Sequence, residues 1–501
     1  MRNYALSAVI LTGALLISGC NSLNEYNRDQ EPEHMKEVHR EEPRQEGMMG
    51  NGHMSHNSPI RLNDSTGENE LKIPPALKSE KGEEVSYTIK AQKGKTEIFD
   101  GFQTNTYGYN GSFLGPMLQL KKGQTVKIKT INELDEETTF HWHGLEIAGS
   151  GDGGPHSVLK PGEERTIEFP VTQAAATLWF HPHPEGKTSE QVYNGLAGLL
   201  YINDAQSERL SIPKDYGAND FPLIIQDRVF DENKQLDYRR VMNEDGTLGD
   251  TLLINGTVNP KLTVPKEKVR LRLLNGSNAR NYTFQLSNGA EFEQIATDGG
   301  LLNRPVRMNK LTLTPSERAE IIVDFSTVKS YDKLALVDEQ GAILLPFSVQ
   351  TEKKQKKSAE LSTQMNNVNI PEEDMNLPVT KRVELFGMGR HVTINGKKFD
   401  RNRIDFTQKA GETEVWELYN KPDMMGGMTH PFHIHGTQFK IISVNGKLPP
   451  ENERGWKDTV ALEPDERVKI AVKFKNKGTY MFHCHILEHE DNGMMGQIKV
   501  E

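Results

Sequence analysis

Three stretches of the chain alternate apolar and polar side chains in the same way, and each ends in asparagine. Alternation with a period of two predicts a β-strand with one buried face. An Asn-Gly pair, typical of a tight hairpin turn, precedes each stretch. The stretches are Val126–Asn132, Val269–Asn275 and Val415–Asn420, and the pairs are Asn110-Gly111, Asn255-Gly256 and Asn395-Gly396. The pattern recurs about every 140 residues of the 501-residue chain, so it predicts three copies of one β-rich unit.

A second element recurs with the same spacing and leads into another alternating run. It is a proline followed three or four residues later by arginine, at Pro161–Arg165, Pro315–Arg318 and Pro464–Arg467. Short alternating strands separated by turns are typical of β-sandwiches. We therefore predict an all-β protein with three tandem sandwich domains, at residues 79–205, 206–350 and 379–501, and a linker at residues 351–378.

Ten of the sixteen histidines lie in four short clusters, and each cluster contains a His-x-His pair. The clusters are His141 and His143; His181 and His183; His430, His433 and His435; and His483, His485 and His489. Residues i and i+2 of a strand point to the same face, so each pair presents two imidazoles to one cavity. Buried structural histidines would explain one such pair equally well. Four pairs predict a cage that holds several metal ions.

The last cluster indicates which metal is bound. Cys484 lies inside its His-x-His pair, with His489 five residues and Met494 ten residues further on, and His430 is available from the preceding cluster. A thiolate, two imidazoles and a weak thioether are typical of a blue copper electron-transfer site. Zinc favours a closed tetrahedron without a thioether, and the sequence has no CxxC pair. Met494 is the predicted axial ligand, with Met495 as the alternative.

The middle copy of the unit lacks these histidines. Sixteen residues after the arginine of the second element, the first copy has His181 and the third has His483, but the middle copy has Leu334. Leu336 likewise stands where the outer copies have the second histidine of the pair. The sequence therefore predicts that the cage lies between the first and third domains, with the middle domain as a spacer.

The N-terminus has the features of an export signal. Met1-Arg2-Asn3 precedes an apolar run that is too short to span a membrane comfortably and ends in Leu16-Ile17-Ser18-Gly19-Cys20. This ending resembles a bacterial lipobox, whose cysteine becomes the lipidated first residue. We predict a lipoprotein signal peptide at residues 1–20, lipidation of Cys20 as the only membrane contact, and a location on the outer face of the cytoplasmic membrane or elsewhere in the cell envelope. An ordinary signal with an incidental cysteine is the alternative.

The next segment and the overall charge limit the partners. Residues 21–78 have few large apolar side chains, so we predict a flexible tether. Its histidines and methionines offer a second role, the collection of copper near the membrane. The net charge is -10 with no sustained basic block, and we therefore expect no nucleic-acid partner. We expect a monomer.

The four histidine clusters, the C-terminal His-Cys-His and the three repeats together resemble the multicopper oxidases, in particular the bacterial three-domain copper oxidases and laccases. The resemblance covers about residues 80–501. It implies cupredoxin-like Greek-key domains and four copper ions that couple substrate oxidation to the reduction of dioxygen to water. Matching motifs imply a type 1 copper at His430, Cys484, His489 and Met494, a type 2 copper at His141 and His433, and a binuclear type 3 pair at His143, His181, His183, His435, His483 and His485.

Two carboxylates resemble the acidic residues that the family places near its trinuclear site as proton donors. They are Asp152, nine residues after His143, and Glu490, next to His489. The alternatives are a solvated loop carboxylate for Asp152 and a structural acceptor for Glu490. Asp458 is a further candidate, for a hydrogen bond that supports a copper ligand.

The segment before His430 bears on the substrate. It contains Asp423, Met424, Met425 and Met428. Thioethers prefer Cu(I), and a carboxylate favours its oxidation to the harder Cu(II). The segment therefore predicts a cuprous oxidase that acts in copper detoxification, with these methionines as substrate ligands.

Other functions compete with this prediction. Residues 351–381 contain only two methionines, so no methionine-rich lid over the site is evident. A general laccase or ferroxidase, acting on phenols or Fe(II), would use the same electron path. A non-catalytic copper-binding envelope lipoprotein is a rival of another class, but storage has no use for imidazoles coupled through a thiolate. A copper nitrite reductase would need no six-histidine pair.

Overall fold

Thirty-two β-strands and four short α-helices run through the part of the chain that the computed structural model describes, residues 60–78, 85–329, 332–350, 360–367, 376–424 and 426–501. The strands form six sheets, two for each of three successive sandwiches. The prediction of an all-β protein with three tandem sandwiches is confirmed. The helices are α1 Thr188–Tyr193, α2 Ala205–Arg209, α3 Tyr238–Val241 and α4 Leu487–Asp491.

The first ten strands build the first sandwich, except for β1, which joins the second. They are β1 Asn69–Glu70, β2 Ala76–Leu77, β3 Val85–Thr96, β4 Thr104–Tyr109, β5 Met117–Lys121, β6 Thr125–Asn132, β7 His141–His143, β8 Glu164–Pro170, β9 Ala176–His181 and β10 Gly198–Asn203. One sheet has the order β4-β3-β6-β8 and the other the order β2-β5-β10-β9-β7. Their facing side chains form one buried apolar cluster.

The second sandwich contains the largest sheets of the described residues. Its strands are β11 Asp220–Arg228, β12 Thr251–Ile254, β13 Thr257–Val258, β14 Pro260–Val264, β15 Lys268–Asn275, β16 Tyr282–Leu286, β17 Phe292–Thr297, β18 Gly300–Met308, β19 Leu311–Leu313, β20 Arg318–Asp324, β21 Ala335–Val337 and β22 Ile343–Val349. The sheet orders are β13-β12-β11-β15-β20-β17-β18 and β1-β14-β22-β21-β16-β19.

The third sandwich consists of two five-stranded sheets. Its strands are β23 Val379–Phe386, β24 Thr393–Ile394, β25 Phe406–Gln408, β26 Glu414–Lys421, β27 His430–Ile434, β28 Phe439–Val444, β29 Thr459–Leu462, β30 Arg467–Val472, β31 Gly478–Cys484 and β32 Met495–Val500. The sheet orders are β24-β23-β26-β30-β28 and β25-β32-β31-β27-β29.

The repeated sequence elements occupy equivalent places in the three sandwiches. The alternating strands are β6, β15 and β26, and each pairs antiparallel with the strand that follows the Pro-to-Arg element, β8, β20 or β30. The terminal asparagine of each alternating strand donates its side-chain amide to two backbone carbonyls. The asparagine of each Asn-Gly pair has a positive φ, between 51° and 54°, which a tight hairpin turn requires.

The predicted tether, residues 21–78, includes residues that belong to the folded body. β1 pairs with β14 of the second sandwich, and β2 pairs with β5 of the first. Leu62 and Leu71 are buried in the core of the second sandwich. Residues 60–78 are thus part of the folded body, because a few apolar side chains and two short strands are enough to dock a segment that composition alone marks as polar.

Part of the predicted linker also packs against the body. Met365 is fully buried in a small cluster with residues of the second sandwich, and its backbone N–H donates to the carbonyl of Asn303. None of the described helices is both long enough and apolar enough to span a bilayer.

Candidate metal centre

Strand alternation divides the ligands of the third sandwich between two faces. Where β27 pairs with β31, His433 lies opposite His483, and Phe432 lies opposite Cys484. Directly opposite residues share a face of the sheet. Cys484 and Phe432 belong to the buried core of the sandwich, so His433 and His483 point out of it. His430, two residues before Phe432, lies on the face of Cys484.

The first sandwich supplies the second pair of strands. Where β7 pairs with β9, His141 lies opposite His181, and His143 lies opposite Trp179. The indole of Trp179 stacks on the ring of His181 at 4.2 Å and walls the site on this side. All five residues, including His183 just beyond β9, are buried.

The outward-facing histidines of the two sandwiches meet in one buried cage. His143 stacks on His433 and His141 stacks on His435, each with ring centroids 3.7 Å apart. The Nε2 atom of His483 lies 3.2 Å from Nε2 of His183 and 3.0 Å from Nε2 of His435. The cage therefore lies between the first and third domains, as the missing histidines of the middle repeat predicted.

The eight cage histidines divide into two triplets and a pair. The ligand atoms within each triplet lie within 4.8 Å of one another. One triplet is His143, His181 and His485, and the other is His183, His435 and His483. The remaining pair, His141 and His433, also forms a close group with His435. Two three-imidazole sites beside a two-imidazole site is an arrangement that fits three copper ions.

The buried ring nitrogens supply the donor atoms that such ions need. Nε2 of His141, His143, His181 and His433 finds no hydrogen-bond partner among the described residues. An unpartnered buried polar atom costs roughly 1–3 kcal/mol. Burial also lowers the pKa of the cage histidines, that of His181 to about 3 and that of His483 to about 4. The rings are therefore neutral, with lone pairs free for a metal.

In the two histidines outside the triplets, His141 and His433, the Nδ1 atom donates a hydrogen bond to a backbone carbonyl. Nδ1 of His141 donates to the carbonyl of Asp152 at 3.0 Å, and Nδ1 of His433 donates to the carbonyl of Asp458 at 2.8 Å. A hydrogen on Nδ1 leaves Nε2 as the ligand atom and fixes the orientation of the ring. Both rings are thus prepared to bind metal before any metal arrives.

A second metal-binding group lies inside the third sandwich. The Cys484 thiol sulfur is 3.5 Å from Nδ1 of His430 and 3.6 Å from Nδ1 of His489, and all three side chains are buried. Burial raises the pKa of the Cys484 thiol well above its usual range. The thiol therefore ionises only when a cation takes the place of its proton. Thiolate and two imidazoles fit copper of the blue type.

Strand pairing distinguishes the two neighbouring methionines. Met495 lies opposite His483 where β31 pairs with β32, so it shares the face of a cage histidine. Met494 faces the other way, is fully buried, and belongs to the core cluster that contains Cys484. The geometry favours Met494 as the thioether beside Cys484.

The two predicted carboxylates both contact the cage. Asp152 Oδ2 lies 2.7 Å from Nδ1 of His435. The carboxylate oxygens of Glu490 lie 3.3 Å from Nε2 of His183 and 3.3 Å from Nδ1 of His483. Burial raises the pKa of Asp152 to about 8 and that of Glu490 well above its usual range. Both groups therefore retain a proton near neutral pH unless a cation lies beside them.

One contact with the cage comes from the middle sandwich, and the sequence did not predict it. Arg318, the first residue of β20, is fully buried and lies 3.4 Å from Nδ1 of His143. Its guanidinium donates to both carboxylate oxygens of Asp458, at 2.7 and 2.6 Å. The sequence marked Arg318 only as part of a repeated element, which carries no information about burial.

The predicted substrate methionines are not all at the surface. Met424 is fully exposed, whereas Met428 is 6% exposed and packs in the core cluster of Cys484. Met428 therefore does not line an open rim, because it precedes β27 and points into the sandwich. Two predicted residues lie outside the described part of the chain, Met425 and Cys20.

Three sandwiches whose outer pair shares a histidine cage, next to a Cys-His-His site, define a multidomain copper protein of the redox type. Family models described as multicopper oxidase match residues 90–207, 220–343 and 370–501. The chain belongs to the multicopper oxidase family. It is 56% identical over 447 residues to the multicopper oxidase mco of Staphylococcus haemolyticus, a match that covers 89% of this chain and 95% of that protein.

Two solved structures agree with this membership. A laccase from Pediococcus acidilactici superposes with a TM-score of 0.85 at 45% identity, covering 89% of this chain and 97% of that chain. A multicopper oxidase from Campylobacter jejuni, described as a metallo-oxidase, superposes with a TM-score of 0.74 at 31% identity, covering 88% and 98%. The protein is thus an oxidoreductase that passes electrons from a reductant to dioxygen through type 1, type 2 and binuclear type 3 copper centres.

Proposed function

We propose that this multicopper oxidase oxidises Cu(I) to Cu(II) and thereby detoxifies copper at the cell envelope. The observation that carries the choice of substrate is the segment before His430. Asp423 acts electrostatically on His430, whose pKa burial lowers to about 4, and Met424 beside it is fully exposed. A thioether next to a carboxylate suits capture of Cu(I) and release of Cu(II). The similarity to the Campylobacter jejuni metallo-oxidase supports a metal ion as substrate.

The proposed ligands follow the grouping of side chains. His430, Cys484, His489 and Met494 would hold the type 1 copper, His141 and His433 would hold the type 2 copper, and the triplets His143, His181, His485 and His183, His435, His483 would hold the type 3 pair. When bound, these ions store the four electrons that convert dioxygen to water without release of partly reduced species.

The chain itself provides the route between the two sites. Cys484 and His483 point to opposite faces of β31, and His485, the residue after the strand, belongs to the cage, so Cys484 connects the inside of the sandwich with the cage. An electron that enters at Cys484 therefore crosses only one peptide unit on either side to reach a cage histidine.

Asp152 and Glu490 are the proposed proton donors. Asp152 is buried and hydrogen-bonded to His435. Glu490 is buried with carboxylate oxygens 3.3 Å from His183 and His483. Their raised pKa keeps a proton available inside a site that solvent does not reach.

The type 1 assignment is tested by three variants. Cys484→Ser should abolish the intense blue colour that copper-thiolate charge transfer produces, and with it oxidase activity. Met494→Leu should shift the absorption spectrum and the reduction potential, whereas the matched control Met495→Leu should leave both as in the wild type. A blue Cys484→Ser variant would end the assignment, and a shift in Met495→Leu alone would move the axial ligand to Met495.

The choice of substrate is tested by kinetics. We would measure oxidation of Cu(I), Fe(II) and a phenol by the wild type, by Met424→Leu combined with Met425→Leu, and by Met428→Leu as a control for packing. Leucine preserves volume but removes the soft donor. The double variant should lose Cu(I) oxidation far more than phenol oxidation. Equal losses for both substrates would favour a general laccase.

A general laccase or ferroxidase is the second candidate, because the Pediococcus acidilactici structure with the higher TM-score is described as a laccase. The proposal includes export of the protein, a lipid anchor at Cys20 and a monomeric state. Labelling with a radioactive fatty acid, with Cys20→Ala as the control, tests the anchor.

A further inference from the structure

The buried guanidinium of Arg318 connects all three sandwiches at the cage. It donates to the carbonyl of Thr177 in the first sandwich at 3.2 Å and to the carboxylate of Asp458 in the third at 2.6 and 2.7 Å. Within its own sandwich it donates to the carbonyls of Ser316 and Asp298, both at 3.1 Å. An arginine has five N–H groups, and these contacts use all five.

Asp458 is the residue that this guanidinium places against the cage. Its carbonyl accepts the Nδ1 hydrogen of His433 at 2.8 Å. Its carboxylate oxygen Oδ1 lies 3.6 Å from Nδ1 of His143 and 3.8 Å from Nδ1 of His433. These two rings are the stacked pair that joins the first and third sandwiches, with centroids 3.7 Å apart.

A glycine next to His143 lets the side chains of Asp458 and Arg318 approach this pair closely. Gly144, next to His143, has a φ of 84°, and a Cβ at this position would lie 2.3 Å from Oδ2 of Asp458 and 2.8 Å from Nη2 of Arg318. The amide of Gln438 also bridges the carbonyl of Gly144 and Oδ2 of Asp458. The Asp458 carboxylate thus lies against Gly144 of the first sandwich and accepts hydrogen bonds from Arg318 and Gln438.

We infer that Arg318 of the middle domain is a positioning residue for His433, a proposed type 2 ligand, and for the ring of His143 stacked on it. By pairing with Asp458 it keeps a carboxylate next to Nδ1 of His143 and His433. The Asp458 carbonyl that this pairing holds in place accepts the Nδ1 hydrogen of His433, which leaves Nε2 of that ring directed at the metal. The role rests on the proposed ligand set but requires no particular reductant.

The same pairing also keeps the carboxylate compatible with burial. An isolated buried carboxylate is strongly disfavoured, whereas a bidentate guanidinium supplies charge and two hydrogen bonds in matching geometry. Removal of Arg318 alone therefore leaves the buried Asp458 carboxylate without a cationic partner, and we expect it to turn away from the histidines.

Arg272 offers a matched control. It is another buried arginine of the middle sandwich, it pairs with Asp220 at 2.7 and 2.6 Å, and it reaches the first sandwich through the hydroxyl of Thr177 at 2.8 Å. It also contacts Glu320 at 3.2 Å. Its described contacts include no cage histidine, so its loss should weaken domain docking without disturbing the metal ligands.

The experiment uses the full-length copper-loaded protein with Arg318→Met, Arg318→Lys and Arg272→Met. We would record the electron paramagnetic resonance spectrum, copper per chain during chelator challenge, the blue absorption and the thermal midpoint. In Arg318→Met we expect the type 2 signal to change and type 2 copper to be lost about 10- to 100-fold more readily, with the blue absorption retained. Arg318→Lys should recover part of the type 2 signal, and Arg272→Met should lower only the midpoint.

The double variant Arg318→Met with Asp458→Asn separates positioning from stability. It removes the unpaired charge and should recover thermal stability while the type 2 signal stays altered. Recovery of both together, or a wild-type type 2 signal in Arg318→Met, would overturn the inference. If Arg318→Met does not fold, the double variant and Arg318→Lys decide the question alone. Loss of the blue absorption in every variant would instead contradict the proposed ligand set.

Discussion

The middle sandwich and the outer sandwiches use the same repeated element in opposite ways. In the outer sandwiches the arginine of the Pro-to-Arg element lies toward the surface: Arg165 donates to the carbonyl of Ser157, and exposed Arg467 stacks over the ring of Tyr419 at 3.7 Å. In the middle sandwich Arg318 is fully buried against the cage.

The histidine positions show the reverse pattern. His183 and His485, just beyond β9 and β31, belong to the cage, whereas the equivalent residue of the middle sandwich, Leu336 of β21, is fully buried in the core of its own sandwich. The outer domains therefore supply ligands, and the middle domain supplies apolar packing together with charged side chains, of which Arg318 contacts the cage. Equivalent positions of a repeated fold take their chemistry from the neighbours against which they pack.

The largest expected effect comes from removal of one cage ligand from each outer domain. His143→Ala and His435→Ala should each deplete the same coppers and reduce oxygen consumption to background while most of the blue colour remains. Copper analysis, absorption spectra and an oxygen electrode measure these quantities. The control is His391→Ala, which removes an exposed histidine. Loss of blue colour in both variants, with a normal trinuclear copper content, would refute a shared cage.

A substitution of Leu336, the middle-domain residue equivalent to His183 and His485, should lower the free energy of unfolding and leave the copper content unchanged. Leu336→Ala removes a fully buried side chain and should destabilise the protein by about 2–5 kcal/mol. Urea unfolding measures the loss, and copper per chain under native conditions should equal that of the wild type. A copper deficit in this variant, measured well below its unfolding midpoint, would mean that the middle domain takes part in metal binding directly.

Without copper, the free energy of unfolding of the protein should depend on pH through the cage histidines. The pKa of His181 is lowered by burial to about 3, against about 6.5 in an unfolded chain. Below pH 6.5 the unfolded state binds the proton that the folded state rejects, so this contribution to stability falls as pH falls toward 3. Its slope is at most about 1.4 kcal/mol per pH unit.

Urea titrations of copper-free wild type and His181→Leu at pH 7, 6 and 5 would isolate this effect. The variant should show a shallower loss of stability on acidification, since one proton-binding group is missing from its unfolded state. Equal slopes in the two proteins would show that His181 is not held neutral by burial. Subtraction between the two proteins removes the opposing contribution of the buried carboxylates, whose pKa values are raised.

The smallest expected effect concerns the surface arginine of the third domain. Arg467→Met removes an exposed cation stacked on an aromatic ring, an interaction of about 0.5–1 kcal/mol. Thermal unfolding should detect a slight loss of stability, and the type 2 copper spectrum should be unchanged. A spectral change as large as that in Arg318→Met would show that the middle and outer arginines do not differ in their effect on the type 2 copper.

Much of the metal centre was accessible from the sequence because it depends on local geometry. Alternation along β31 places Cys484 on one face and His483 on the other, and His485 is the next residue after the strand. The same rule separates His430 from His433 and His435. Spacing between repeats placed the cage between the outer domains, and the Asn-Gly pairs located the hairpin turns.

Other features depend on contacts between residues far apart in the chain, and only the tertiary structure decided them. The division of the eight cage histidines into two triplets and a pair follows from the docking of two sandwiches. The position of Met495 opposite His483 follows from the register of β31 against β32. Docking of residues 60–78 depends on β1 and β2, each two residues long, which composition does not reveal.

Arg318 illustrates the limit most clearly. Its sequence neighbourhood resembles those of Arg165 and Arg467, so no local pattern distinguishes an arginine at the surface from one inside the cage wall. Its partner Asp458 is 140 residues away along the chain. The sequence determined which residue types alternate on each strand and therefore which side chains can bind copper. The packing of three domains determined which charged groups hold those side chains in place, because burial and pairing are properties of the assembled interface.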